Sequence, residues 1–233
     1  LAKAFISSAN RGQAAYAAEA IKYSNKAMPD LQYASFITNH DQDRTLSQLS
    51  GEMEKAKIAA ALLLTSPGVP FIYYGEEIGM VGKKPDENIR RPMQWSAKEN
   101  AGFSGGRPWR QPDAGYIEVN VAAQADNPDS LLSLYRTLIR IRNEHPALRT
   151  GSIAFPATGK SSVFASLRVT DSETILVLIN LSGEAINNYE LDLRDISGNT
   201  LLPLMGVDAD EIPLSAKPVG ELAPFSVHIF QIK

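Results

Sequence analysis

A run of polar residues directly follows a short apolar run near the start of the chain. Asn39, His40 and Asp41 come after the segment 33–38, whose apolar character predicts a buried strand. A carboxylate at a strand end accepts hydrogen bonds from ligand hydroxyl groups and favours a developing positive charge, and a neighbouring imidazole donates to another hydroxyl. The alternative is a solvated polar turn in which Asp41 only caps the backbone.

Two adjacent carboxylates are the second candidate for chemistry. Glu76 and Glu77 follow the apolar run from Val69 to Tyr74, which is the next predicted strand. A pair of carboxyl groups suggests acid–base catalysis. Neighbouring side chains on a strand point apart, however, and this favours a structural role through ion pairing or solvation.

The third candidate lies in the stretch from Glu76 to Asp129, which is rich in glycine and proline and contains both tryptophans, Trp95 and Trp109. Segments of this length without regular structure are usually functional. Aromatic rings near arginines such as Arg90 suit sugar binding, because sugar ring faces stack on aromatic side chains. The alternative is that the tryptophans pin the stretch to the body of the fold.

An α/β framework is predicted to position these candidates. Helices are predicted over Gln13–Met28, stopped by Pro29–Asp30, over Glu52–Ser66, and from a cap at Asp129 to His145. A strand, a helix and a second strand in this order form a βαβ unit, which implies a parallel sheet. Because active sites lie at the carboxyl ends of parallel strands, the polar runs are expected at one edge of that sheet.

The sequence pattern changes after Gly151. Alternating or β-branched runs separated by turn residues predict antiparallel strands over 163–169, 174–181, 189–193 and 225–229. Such a series is typical of an antiparallel β-sandwich. The predicted fold class is therefore α/β plus all-β, with one domain at 1–147 and a second at 148–233.

The composition excludes several function classes. The chain of 233 residues has no cysteine and a net charge of −3, so disulfides and thiolate chemistry are absent and nucleic acid or an anionic membrane is not an expected partner. No apolar run is long enough to span a bilayer. The histidines His40, His145 and His228 lack metal-ligand spacing, and the last two are interpreted as structural. No metal or cofactor is expected in this chain.

Three motifs in this order resemble the alpha-amylase family of glycoside hydrolases. The run 36–41 (FITNHD) resembles the family's fourth short signature, and the run 67–77 (PGVPFIYYGEE) resembles its eighth barrel strand. The run 90–95 (RRPMQW), with AGF at 101–103, is similar to a segment of its alpha-glucosidase-type members. The resemblance implies strands seven and eight of a (β/α)8 TIM barrel, followed by a β-sandwich.

The resemblance also implies roles for individual residues. Asp41 would be the transition-state stabiliser, hydrogen-bonded to sugar hydroxyls where the bond breaks. His40 would bind the same sugar ring, Asn39 would support the turn, and Arg90 would contact substrate near the aglycone side. Arg44, at the end of the motif, is given no catalytic role. The implied activity is retaining hydrolysis or transfer at α-glucosidic bonds of starch-like or malto- and isomalto-oligosaccharides, with the linkage left open.

One departure from the family matters for activity. The signatures of its nucleophilic aspartate and acid/base glutamate, which follow the fourth and fifth strands, are absent from this sequence. Retaining hydrolysis needs two carboxyl groups roughly 5 Å apart, and Asp41 supplies neither of them. We therefore expect a fragment that is inactive alone and whose partner is the missing N-terminal part of the barrel. Its two parallel strands would be left uncovered.

Other possibilities belong to different classes. A catalytically inactive relative could serve as a binding or scaffolding protein, although the intact Asn-His-Asp cluster favours an enzyme. The β-sandwich could be a glucan-binding module, with Tyr189 as its main surface aromatic. Calcium in the intact enzyme is left open. Leu1–Ala4 does not resemble a signal peptide and lacks a methionine start, so localisation is unknown, with the exterior or periplasm favoured.

Overall fold

The computed structural model describes residues 1–28, 31–193 and 196–233. The α-helices are α1 (Ala2–Arg11), α2 (Ala14–Ala27), α3 (Thr45–Gln48), α4 (Met53–Thr65), α5 (Asp86–Ile89), α6 (Val121–Gln124), α7 (Leu131–Glu144) and α8 (Pro146–Thr150). The strands are β1 (Ala34–Ser35), β2 (Val69–Pro70), β3 (Ser152–Ala154), β4 (Val163–Val169), β5 (Thr174–Asn180), β6 (Thr200–Met205), β7 (Ile212–Pro213) and β8 (Val227–Ile232).

The last two turns of helix α4 lie in the centre of the core because they are apolar on every side. All residues from Ile58 to Thr65 are buried, as expected for an alanine- and leucine-rich helical segment without a polar face. The helix predicted over 52–66 is thereby confirmed, and α2 confirms the one predicted over 13–28. The predicted stop at Pro29–Asp30 lies outside the described residues.

Helix α7 packs along α4 and carries the predicted apolar stripe. Leu131, Leu138 and Ile141 are buried on the face toward the core. The predicted cap at Asp129 is wrong by one position, because the Ser130 hydroxyl accepts the hydrogen bond from the Ser133 amide at 3.1 Å. A free backbone amide in the first turn is satisfied in this way.

The first two strands form the predicted parallel pair. Ala34 is in register with Val69 and Ser35 with Pro70, and the Phe71 amide extends the ladder by donating to the Ser35 carbonyl at 2.7 Å. The regular part is much shorter than predicted. The second strand is also uncovered, since Phe71 is 59% exposed. Parallel strands are normally buried on both faces, whereas this side of the pair is exposed to solvent in this chain.

The C-terminal part contains one six-stranded antiparallel sheet in the order β3-β4-β5-β8-β6-β7. Alternate residues of its strands point to opposite faces. Phe164, Val177 and Ile229 pack with the helices in the main core. Ala165 and Leu178 point to the other face and pack in a second core with the covering segments 186–193 and 214–222.

The covering segments correct three predictions. A strand was expected over 189–193, but the structure has no regular strand there, although the backbone forms ladder-like bonds such as Leu191 amide to Ala216 carbonyl at 2.7 Å. Among the described residues of the C-terminal part, 152–193 and 196–233, there is thus one six-stranded sheet with an irregular cover rather than a regular two-sheet sandwich. Tyr189 packs from this cover into the second core and is buried, so it is unavailable as a surface platform for glucan.

Two buried arginines attach the sheet to the helices. From β4, Arg168 donates to the carbonyls of Thr65, Leu148 and Gly151 at 2.8–3.0 Å. From α7, Arg142 donates to three carbonyls in the segment 64–68. Burial lowers the pKa of Arg168 to about 9. The C-terminus of α4, where unpaired carbonyls accumulate, is thereby fixed to α7 through Arg142 and to β4 through Arg168.

Candidate active site

The turn after β1 is built around an asparagine that bonds its own backbone. The Asn39 side-chain oxygen accepts a hydrogen bond from the Asp41 amide at 2.9 Å, an arrangement that favours asparagine in turns. The Thr38 hydroxyl closes the turn by donating to the Asp43 carbonyl at 2.8 Å. Asn39 therefore directs Asp41 away from the strand.

Arg90 joins this turn across a long sequence separation. Its Nη2 lies 3.0 Å from Asp41 Oδ1, and its Nε donates to the His40 carbonyl at 2.9 Å. The His40 ring is also close, with Nε2 at 3.4 Å from Asp41 Oδ2. The structure thus brings together all four site residues that were predicted from the sequence, namely Asn39, His40, Asp41 and Arg90. We call them the Asp41 cluster.

A second carboxylate, Asp86, belongs next to this cluster, and sequence reasoning missed it. Its Oδ2 lies 2.7 Å from Arg90 Nη2, and its Oδ1 lies 2.6 Å from Lys84 Nζ. The hydrogen bond from Lys84 is the main cause that lowers the pKa of Asp86, with the charge of Arg90 assisting. The signal was present as the four-residue spacing from Asp86 to Arg90, which places both on one side of a helix.

The loop that carries Arg90 is fixed to the residues just after the cluster. The Lys84 amide donates to Asp43 Oδ1 at 2.7 Å, and the Gly82 amide donates to the Ser47 hydroxyl at 2.8 Å. The Arg44 amide donates a hydrogen bond to the Gly82 carbonyl at 2.9 Å. These bonds position Arg90 over the turn.

Arg44, which was given no catalytic role, makes contacts inside the fold. The guanidinium is buried, donates from Nη1 to the Tyr74 carbonyl at 2.7 Å, and lies over the rings of Tyr73 and Tyr74 at 4.7 and 4.8 Å. Gly75 has a φ of 81°, and a Cβ there would collide with the Met80 side chain. Arg44 links the cluster's turn to the end of the second strand.

The cluster itself is open to solvent. The Asp41 side chain is 61% exposed, and among the described residues its Oδ2 has only the 3.4 Å contact with His40. Exposed ion pairs such as Arg90 with Asp41 add little stability. The arrangement therefore adds little to the stability of the fold and leaves a carboxylate in a fixed orientation where an external ligand could reach it.

The neighbouring carboxylate pair has different surroundings. Glu76 is 4% exposed, with the Thr45 hydroxyl donating to Oε2 at 2.9 Å and the Tyr135 hydroxyl donating to Oε1 at 2.8 Å. Burial raises the pKa of Glu76 to about 7. The structural interpretation of this pair agrees with these contacts, but ion pairing does not, since Glu76 has no salt bridge within the described ranges.

The long loop leaves its aromatic side chains in water. Trp95 is 51% exposed and Trp109 is 64% exposed, which contradicts the idea that they pin the loop to the body.

The remaining histidines lie away from the cluster. His145 contacts Glu173 at 2.6 Å, and His228 is buried in β8. Within the part of the chain that the structure covers, no group of three or more potential ligands could hold a metal ion.

Comparison with known proteins connects this geometry to a family. A family model described as "Alpha amylase, catalytic domain" matches residues 7–151. The alpha-amylase SusG of Bacteroides thetaiotaomicron is 37% identical over 186 residues, covering 75% of this chain and 25% of SusG. An oligo-1,6-glucosidase of Halalkalibacterium halodurans is 30% identical over 227 residues, covering 80% of this chain and 40% of the relative.

Solved structures give the same result. The crystal structure of an alpha-amylase from H. orenii is similar over 100% of this chain and 47% of that one, with a TM-score of 0.79 and 30% identity. The chain spans less than half the length of the relatives it matches. None of the helices in the described segments is long and apolar enough to cross a bilayer.

Proposed function

Because this chain belongs to the alpha-amylase family, we propose that it supplies the transition-state-stabilising carboxylate, Asp41, to a glycoside hydrolase that acts on α-glucosidic bonds of α-glucans. The observation that carries the proposal is the Asp41 cluster, in which an exposed carboxylate is held by Asn39 and Arg90 and its second oxygen has a 3.4 Å contact with the His40 ring. SusG and the oligo-1,6-glucosidase are named for such activities.

The proposed chemistry follows from the charge that develops during bond cleavage. A glycosyl transition state is oxocarbenium-like, so it carries positive charge on a flattened ring. Asp41 accepts hydrogen bonds from the ring hydroxyls and stabilises that charge, while His40 donates to the same ring. Arg90 keeps the carboxylate in one orientation through its 3.0 Å contact. These interactions are stronger in the transition state than in the ground state, which lowers the barrier.

The nucleophile and the acid/base carboxyl are proposed to come from outside this chain. A second carboxylate, Asp86, lies next to the cluster, and both of its oxygens already contact cations, Lys84 and Arg90. We propose that β1 and β2 are strands seven and eight of a (β/α)8 barrel within 1–147, followed by a C-terminal β-domain at 148–233. The arrangement is supported by the exposure of Phe71 and by the fact that this chain covers less than half of the matched alpha-amylase structure.

The test uses the whole protein with the change Asp41→Asn. We expect kcat for maltoheptaose hydrolysis to fall by roughly 100-fold or more, because one charged stabilising group is lost. The melting temperature should stay unchanged, since Asp41 is mostly exposed. Asp126→Asn, the same change at an exposed aspartate away from the cluster, is the matched control. Full activity of Asp41→Asn would remove Asp41 from the mechanism.

A second experiment addresses the division of the catalytic groups. This chain alone should not hydrolyse maltoheptaose, and a variant of the whole protein without the N-terminal carboxyls should also be inactive. Mixing this chain with the separately expressed N-terminal part should restore hydrolysis if the two halves assemble. Hydrolysis by this chain alone would show that its own carboxyls complete the reaction.

A further inference from the structure

A surface hollow lies beside the Asp41 cluster and takes no part in it. The hollow has a volume of about 300 Å³ and is lined by Arg91, Arg107, Pro108, Trp109, Arg110 and Gln111. We call it the Trp109 hollow. We propose that it is a second saccharide site, which takes one neutral glucosyl unit of an α-glucan on the ring of Trp109. This inference rests on the proposed function.

The exposure of Trp109 is the first observation behind the proposal. A tryptophan side chain offers more apolar area than any other, and water contact with that area is unfavourable. Yet Trp109 leaves 64% of its surface in solvent. An exposed flat ring is a surface on which the apolar face of a pyranose packs, and this packing would remove the ring from water.

The loop that presents the ring is held in place on both sides. Before the ring, the Asn100 amide group donates to the Ser104 and Gly106 carbonyls at 3.3 and 3.2 Å. After the ring, Arg91 Nη1 lies 3.3 Å from both the Pro112 carbonyl and Asp113 Oδ2. A platform that is already ordered loses little conformational entropy when a ligand binds.

The polar groups of the hollow are hydrogen-bond donors. Arg107 has no ion pair among the residues that the structure describes, and Arg110 donates from Nη2 to the neutral Asn88 side chain at 2.8 Å. Gln111 adds an amide. Guanidinium and amide groups around an aromatic face can donate to several sugar hydroxyls at once. The same arginines could hold an anion, so the test must separate the two ligands.

Helix α5 connects the Trp109 hollow to the Asp41 cluster. Asn88, in the helix, accepts the bond from Arg110, and Arg90, at its C-terminal end, contacts Asp41 at 3.0 Å. One four-residue helix therefore fixes both places relative to each other. A glucan long enough to reach from one to the other would be held at two points, whereas a short substrate would occupy only the cluster.

The test compares long and short substrates in the whole protein. Trp109→Ala should raise KM for maltoheptaose about five- to tenfold, the usual range for losing one aromatic contact, with kcat unchanged. KM for maltose should not change. Trp109→Phe should restore most of the maltoheptaose affinity. Tyr23→Ala, which removes an exposed aromatic ring from α2, is the control and should leave both constants unchanged.

Direct binding keeps this inference separate from the proposed function. Calorimetry with maltoheptaose in an Asp41→Asn background should show the same five- to tenfold weakening on Trp109→Ala, and millimolar inorganic phosphate should not compete. Unchanged binding in Trp109→Ala, equal KM increases for maltose and maltoheptaose, or competition by phosphate would each overturn the inference. A protein that binds maltoheptaose through Trp109 but hydrolyses no glucan would instead contradict the proposed function.

Discussion

Two carboxylates follow the two parallel strands, and their surroundings differ in every respect. Asp41 is mostly exposed and contacts a cation, Arg90, while Glu76 is buried and accepts bonds from two neutral hydroxyls. The exposed group has little influence on stability because water screens its charge. The buried group has a pKa raised to about 7 by burial. Position after a strand therefore does not by itself distinguish a carboxylate that a ligand can reach from a carboxylate that is buried in the fold.

The largest predicted effect concerns the pH dependence of Glu76. Its pKa rises from 4.5 in the unfolded chain to about 7 in the fold. Between these values the folded state keeps a proton that the unfolded state has lost, so stability falls as pH rises through this window and is constant above it. The loss amounts to about 3 kcal/mol. Glu76→Gln should remove it.

The measurement is the free energy of unfolding of the whole protein with and without Glu76→Gln, at several pH values from 4.5 to 8. The difference between the two proteins isolates Glu76 from other titrating groups. Relative to the wild type, the variant should gain stability as the pH rises. A difference that stays constant across the range would show that Glu76 titrates normally and that the contrast with Asp41 is wrong.

The next effect concerns Arg90, on the exposed side of the comparison. Arg90→Ala should lower kcat for maltoheptaose by roughly 10- to 100-fold, because Asp41 loses its fixed orientation. The free energy of unfolding should change by less than about 1 kcal/mol. Arg140→Ala, which breaks an exposed 2.9 Å ion pair with Glu144, should match the small stability change while keeping full activity. Equal activities of the two variants would contradict the orienting role.

Tyr135→Phe probes the buried side with a smaller change. It removes the hydroxyl that donates to Glu76 Oε1 at 2.8 Å and leaves a buried acceptor without that partner. We expect a loss of about 1–3 kcal/mol at pH 8, measured by denaturant unfolding. The loss should be smaller at pH 5, where Glu76 is protonated. A larger loss at pH 5 would contradict the assignment.

The smallest predicted effect concerns the turn itself. Asn39→Ala removes the acceptor for the Asp41 amide and should lower kcat about fivefold, equivalent to roughly 1 kcal/mol for one local hydrogen bond. The kcat of Asn39→Ser should lie between those of the wild type and Asn39→Ala, since serine makes the same turn contact more weakly. If Asn39→Ala is fully active, the turn does not depend on this side chain.

The sequence predicted the cluster better than its surroundings, and the reasons are local. Asn39, His40 and Asp41 are consecutive, so a single turn holds them together, and Arg90 was assigned through the family resemblance. Asp86 was missed because its partner lies four residues along a helix too short to show a periodic pattern. Its role depends on the loop contacts at Gly82 and Lys84, which no sequence pattern encodes.

The C-terminal part shows where periodicity misleads. The alternation at 189–193 predicted a strand, and its apolar residues Tyr189 and Leu191 are buried as alternation requires. The backbone is nevertheless irregular, because a segment that covers the face of a sheet needs an apolar pattern but no regular ladder of strand hydrogen bonds. By contrast, the run 174–181 pairs with strands on both sides, and its β-branched composition predicted β5 correctly.

The most direct measurement is a crystal structure of the whole protein with an uncleavable thio-linked maltooligosaccharide. We expect the Asp41 carboxylate to lie about 3 Å from hydroxyls of one glucosyl ring, with His40 on the same ring and Glu76 shielded behind Thr45. A ring bound elsewhere, with Asp41 contacting only water or Arg90, would rule out the proposed role of Asp41.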